Sequence, residues 1–305
     1  MNRHLIAMCG ALVLGTALML SADASPDSKW SEWSTPVPVP NINSAFEDAN
    51  PAISKDGLSL YFQSGRPGGY GGLDIYVAHR TSADLPWNVP VNLGPAINTA
   101  SFELGPALSR DGHYLFFVSP RATGLADIYV SYRKHVHDDF AWETPTMLGP
   151  EINTSFIDTA PSFFENDDDG LPQLYFNSNR PGGMGLNDVY MTGMNPDGGF
   201  WPAVLVPELS SPQNDVSPEI FRNGLEMFFQ SDRPGTLGGV DLWTSVRDSV
   251  LDPWSPPLNL GVIVNSVSND GGPAVSSDGE VLFFNSSRPE GLGAADIYMT
   301  TRSRH

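Results

Sequence analysis

A single cysteine, Cys9, occurs in 305 residues, so neither a disulfide framework nor a cysteine-ligated metal box can organise this chain. Basic residues are also scarce: 16 Lys and Arg stand against 35 Asp and Glu, a formal net charge of −19. So acidic a chain is repelled by phosphate backbones and anionic lipid, which argues against nucleic-acid partners and leaves cations, cationic partners and neutral ligands. After residue 24 no apolar run is long enough to span a bilayer. The Gly-x-Ser-x-Gly elbow of serine hydrolases and the His-Glu-x-x-His helix of zinc proteases are missing as well. What abounds is Gly (30) and Pro (27), too much for a helical bundle and well suited to short strands joined by turns. At 40% hydrophobic and 10% aromatic, the chain has the means to bury a core.

Residues 1–24 read as a signal peptide. Arg3 and His4 precede an apolar run from Leu5 to Leu20, and Ser21-Ala22-Asp23-Ala24 offers the small residues that signal peptidase needs, so cleavage is expected after Ala24. Cys9 lies inside the apolar run, with too little hydrophobic sequence before it for lipoprotein processing. The expectation is a periplasmic or secreted monomer, with 25–305 as one domain.

Internal repetition decides the architecture. Asp-aliphatic-aromatic recurs five times, at Asp74, Asp127, Asp188, Asp241 and Asp296, each with an arginine upstream: Arg66, Arg121, Arg180, Arg233 and Arg288. Five tryptophans keep the same phase, Trp33, Trp87, Trp142, Trp201 and Trp254, and are read as packing between repeats. Asp-Gly at 56–57, 111–112 and 278–279 supplies the positive φ of tight hairpins. Each unit of about 55 residues holds four short strands, near the ~40–50 residues of a propeller blade. Trp33–Val39 matches only a last strand, and the fifth unit stops at its third, Asp296–Thr301. The spacing therefore predicts an all-β, five-bladed β-propeller of four-stranded antiparallel blades, closed by the N-terminal strand.

The phrase Pro51-Ala-Ile-Ser-Lys-Asp-Gly57, followed by Leu60-Tyr-Phe-Gln-Ser-Gly-Arg66 and Asp74-Ile-Tyr76, resembles the WD40-like propeller repeat of the TolB type. That repeat is found in periplasmic TolB and in the propeller domains of tricorn-like and prolyl-oligopeptidase-like proteases. The resemblance spans nearly the whole mature chain and implies architecture far more than chemistry. The chain departs from TolB itself in having five repeats, where TolB has six blades, and no room for an N-terminal α/β domain.

Two polar motifs should share one face. An acid stands three residues before a proline in each unit, Asp48, Glu103, Asp158, Asp215 and Asp270, and should ring the mouth of the central channel. The second motif is the loop from each arginine to its Asp. Arginine clamps holding carboxylates by bidentate bonds are the structural expectation for Arg66, Arg121, Arg180, Arg233, Arg288 and the five Asp of the Asp-aliphatic-aromatic motif. Ten acids against five arginines leave a surplus, and crowded carboxylates raise one another's pKa or recruit a cation such as calcium. Blade-specific departures are the sharper pointers: Glu103 is the one longer acid, the second arginine loop is shortened, and Glu219 replaces a small residue after proline.

Other chemistry is thinly supported. Asn166-Asp-Asp-Asp-Gly170 has the charge of a calcium loop without its alternating spacing or distal Glu. His135 and His137 could point to one side of a strand, yet no third ligand is evident and 133–139 reads as a loop. The glycine-rich loops 66–72 and 180–185 join strands, where turn geometry explains them better than a phosphate cradle. No motif implies a cofactor or a confident metal. The expected function is a binding module for a protein, peptide or glycan, acting through the acidic loop face. The alternative is a glycoside hydrolase or lyase using carboxylates at the propeller mouth. A free carboxylate pair ~5–10 Å apart would favour the enzyme, and five saturated arginine clamps the module.

Overall fold

The computed structural model describes residues 29–165 and 172–305, so the leader, Cys9 and the Asn166–Gly170 stretch lie outside the described residues. Five four-stranded antiparallel sheets follow one another as the blades of a propeller. The first blade runs Asp48–Ile53, Ser59–Ser64, Asp74–His79 and Val91–Asn92 from the axis outward. The second is Leu104–Leu108, Tyr114–Ser119, Asp127–Tyr132 and Thr146–Met147. The third is Asp158–Phe164, Gln173–Ser178, Asp188–Gly193 and Val204–Leu205, and the fourth Asp215–Ile220, Glu226–Ser231, Asp241–Val246 and Leu258–Asn259. The fifth blade has Asp270–Val275, Val281–Ser286 and Asp296–Thr301, and its outer strand is Val37–Pro38 from the other end of the chain. Among the described residues the only helix is the single turn Gly261–Val264.

Period-2 alternation builds the core between blades. In the second strand of the first blade, Leu60 and Phe62 pack with Ala274, Phe283 and Ile297 of the fifth blade. Tyr61, between them, packs with Leu115 and Phe117 of the second. A one-residue slip would exchange the two neighbours, so these strands fix their own register.

A second series of arginines, unnoticed in the sequence, ends the third strands. Arg80, Arg133, Arg247 and Arg302 lie flat over Trp87, Trp142, Trp254 and Trp33, with the guanidinium carbon 4.2–4.4 Å from the ring centre. In the third blade Met194 and Phe200 take these two places, as their bridge pairing indicates. Trp201 stands one position beyond and is 54% exposed, so it departs from the packing role expected of the repeated tryptophans. The loop before it is one residue shorter, since Trp201 N–H bonds Gly193 where Asn88 N–H bonds His79.

Closure uses more than one strand pair. Asn43 on the N-terminal segment donates Nδ2–H to the Ile297 carbonyl at 2.9 Å and accepts the Ile297 N–H at 2.7 Å. Val39 N–H and Asp48 N–H add bonds to Ile297 and Ala295. Asn98, Asn153 and Asn265 form the same double bond with Ile75, Ile128 and Leu242, tying each connector to the blade it has just left. Deleting Lys29–Val39 would remove the fifth blade's outer strand, the Arg302–Trp33 stack and buried Val39. That loss is expected to lower the melting temperature by about 10 °C or more, several kcal/mol for a chain of this size. Calorimetry of the truncated chain checks it, and an unchanged transition would mean that the ring does not depend on this closure.

Candidate functional site

The strands present two faces. The arginine loops and the connectors between blades meet at one, the loop face; the hairpins after the innermost strands lie at the other, the hairpin face.

At the loop face each of the five acids before proline is fully buried and locked. Arg66 Nη2 contacts Asp48 Oδ1 at 2.6 Å and also donates to the Ile42 carbonyl, while its Nε–H donates to Ser64 Oγ. Ser44 supplies Asp48 Oδ2 with both its N–H and its hydroxyl. The cage repeats as Arg121–Glu103 (3.0 Å), Arg180–Asp158 (2.7 Å), Arg233–Asp215 and Arg288–Asp270 (2.7 Å). Each guanidinium also lies over two rings, Phe62 and Tyr76 in the first blade. These carboxylates therefore do not face one another across an open mouth, as their position before the innermost strand had suggested; each points into its own blade.

The five Asp of the Asp-aliphatic-aromatic motif take no arginine. Asp74 accepts the N–H groups of Tyr70 and Gly71 and the side chain of Asn92, thereby folding the loop over itself. Asp188, Asp241 and Asp296 accept the two corresponding loop N–H groups, and in the shorter second loop Thr123 Oγ–H serves Asp127. The apparent surplus of acids is thus absorbed by backbone donors, and each clamp engages a single carboxylate oxygen, through two nitrogens in Arg233 and one in the others, not as a bidentate fork.

The axial channel is built differently. In every innermost strand the residue before proline has positive φ: Asn50 (49°), Gly105 (52°), Ala160 (51°), Ser217 (53°) and Gly272 (57°). Each sits in a register shift of the strand pair, a bulge that turns the next side chain toward the axis. Ala160 and Ser217 hold this conformation without glycine's freedom, at a cost of order 1–3 kcal/mol each. Neighbouring blades brace the bulges: Gln63, Asn177, Gln230 and Asn285 accept the N–H of Gly105, Ser217, Gly272 and Asn50 respectively. Val118 occupies that place in the second blade.

After the prolines come Ala52, Ala107, Ser162, Glu219 and Ala274, small where five strands converge, with one exception. Glu219 is partly buried in the axial cavity, accepting Ser162 Oγ–H at 3.0 Å and Val275 N–H at 3.4 Å, from the blades on either side. Burial pushes its carboxyl up to about 7. Toward the hairpin face the cavity continues past Glu219 to Lys55, Arg110, Glu165 and Arg222. Glu165 accepts the Arg110 N–H and is also raised, by burial first and then by Asp111. Two carboxyls with raised pKa thus border one cleft. His135 and His137 lie in the loop after the third strand of the second blade, and His137 borders a separate cavity with Arg133 and Asp111. Among the described residues no group of three or more His, Cys, Asp or Glu is disposed to hold a metal ion.

Removing Arg180 leaves the fully buried Asp158 without its cation, so Arg180→Ala is expected to cost about 3 kcal/mol, and Asp158→Asn in the same chain to recover part of it. Urea unfolding of Arg180→Ala, Asp158→Asn and the double variant measures this; additive losses would mean that the pair does not interact. For Glu219 the sign follows from its raised pKa. Stability from the protonated carboxyl is fully present below the ordinary value of 4.5 and is lost as pH rises through about 7. Glu219→Gln should then raise the melting temperature by a few degrees at pH 8 and leave it nearly unchanged at pH 4. An equal shift at both values would contradict the placement.

No family model matches the sequence, and no curated protein matches it. Solved structures with the same fold are many. An α-L-arabinofuranosidase from Lactobacillus brevis superposes with a TM-score of 0.58 at 16% identity, covering 87% of this chain and 94% of that one. A GH43_1 enzyme from Xanthomonas citri, complexed with xylotriose, gives 0.59 at 15% identity over 87% and 89%. An endo-arabinase from Bacteroides thetaiotaomicron gives 0.56 at 15% over 88% and 97%. At such identities the likeness is one of fold: this chain is a five-bladed β-propeller of the architecture those glycoside-cleaving enzymes use.

Proposed function

We propose that the protein, exported after loss of residues 1–24 and built from TolB-type repeats, is a carbohydrate-binding propeller whose ligand enters the axial cleft from the hairpin face. One observation carries the reading: Glu219 is a carboxyl with a pKa near 7, held between Ser162 and Val275 where the other blades place Ala or Ser. In its protonated form, about half the population at neutral pH, the carboxyl both donates and accepts, which suits a sugar hydroxyl pair. The locked loop-face acids favour recognition over catalysis, since none is free to act as a second catalytic carboxylate.

A second reading, hydrolysis, has its own support. Glu219 is poised as a general acid, Glu165 borders the same cleft, and the arabinofuranosidase, arabinase and xylotriose-bound enzyme share the fold. Arabinan, xylan and arabinoxylan, assayed for binding by affinity electrophoresis and for release of reducing ends, separate the two. Binding without release, weakened by Glu219→Ala, is the expected outcome. Release abolished by Glu219→Gln with binding retained would make the protein a glycosidase. Absence of both, in a chain that melts cooperatively, would sink the carbohydrate assignment.

A further inference from the structure

The loop face carries a repeated feature that the fold does not use. Four residues after each clamp arginine stands a large apolar side chain: Tyr70, Leu125, Met184, Leu237 and Leu292. All five are exposed, from 38% to 71%. The backbone N–H of four of them closes the loop on its Asp, which explains the backbone geometry but asks nothing of the side chain. The connectors add Phe46, Phe102 and Phe156, again exposed.

These residues lie on loops and connectors that touch one another around the axis. Gly72 abuts the Phe102 ring, Gly238 the backbone of Val267 and Ser268, and Gly293 the Phe46 carbonyl, so each loop rests on the connector leading to the next blade. Asp158 N–H bonds Ala126, and Leu186 N–H bonds Gln213, at the remaining two junctions. Four aromatic and four aliphatic side chains, each at least a third exposed, thus share this face, and exposed apolar side chains grouped in this way mark an interaction site.

Charge selects the occupant. Among the described residues the face holds no lysine or arginine besides the five clamps, and those are bound to buried acids. Glu47, Asp232 and Glu290 stand around the apolar ring, whereas Lys55, Arg110 and Arg222 belong to the opposite end of the propeller. An apolar centre with an acidic rim complements a partner of the same design and opposite charge. A second copy docked loop face to loop face would set acidic rim against acidic rim. We propose that the loop face docks a protein partner presenting an apolar surface rimmed by lysine or arginine, independently of the axial cleft.

The probe is a synthetic amphipathic helix with leucine on one face and lysine on the other, compared with the same peptide carrying glutamate for lysine. Fluorescence anisotropy on the full mature chain should show saturable binding of the lysine peptide, about tenfold or more tighter than the glutamate peptide. The double variant Leu237→Ser, Leu292→Ser should weaken it about tenfold, with the melting temperature unchanged. Val89→Ser and Leu251→Ser, at residues 78% and 92% exposed but outside this face, should have no effect. Equal binding of both peptides, or equal losses from the control variants, would overturn the proposal. So would a dimer in light scattering that Leu237→Ser dissociates, because the ring would then belong to a second copy.

Discussion

Everything at the centre of this molecule depends on how five innermost strands are brought together without their acids repelling one another. A carboxylate at the start of each strand is withdrawn from water completely, which would be ruinous alone. It is tolerable because the arginine loop returns a guanidinium to it, a serine or threonine four residues upstream supplies further donors, and two aromatic rings cover the arginine. The same guanidinium bonds the carbonyl of Ile42, Ile97, Ile152, Leu209 or Val264 in the connector. One residue per blade thereby fixes the innermost strand, the second strand and the connector at once.

This arrangement divides labour between the faces. With the five acids that precede proline internal and neutralised, the loop face is left with glycine turns, exposed apolar side chains and a few rim carboxylates. Free chemistry moves along the axis, where the bulges with positive φ aim side chains inward. Strain at Ala160 and Ser217 is concentrated there, as strain at functional sites commonly is. Among the residues that follow the five prolines, Glu219 alone is neither alanine nor serine.

Architecture was readable because each blade repeats the same packing problem with the same residues. Phase alone identified the blades, the closing strand and the arginines. Partners were not readable: spacing paired Arg66 with Asp74 as readily as with Asp48, and only the loop's path shows that Asp74 turns to backbone N–H groups instead. The phase of Trp201 misled because a one-residue shortening of its loop moves Phe200 into the repeat position. A signal for the Asn43, Asn98, Asn153 and Asn265 ties was present in their constant spacing from the following acid, but a lone asparagine in a connector reads as a turn residue. Glu219 was legible as a departure from its equivalents, although its axial surroundings required the bulge, which no residue type announces when Ala and Ser adopt it.

The contrast between the arginine-clamped acids of the loop face and the axial carboxyl proposed as the binding group is tested most directly by a carboxyl carbon NMR titration of the protein, with Glu219→Gln supplying the assignment. A glutamate resonance titrating near pH 7, absent from the variant, is the result this account predicts. If the resonance lost in Glu219→Gln titrates near the ordinary value of 4.5, the carboxyl is well solvated and the axial cleft is not the poised site described above.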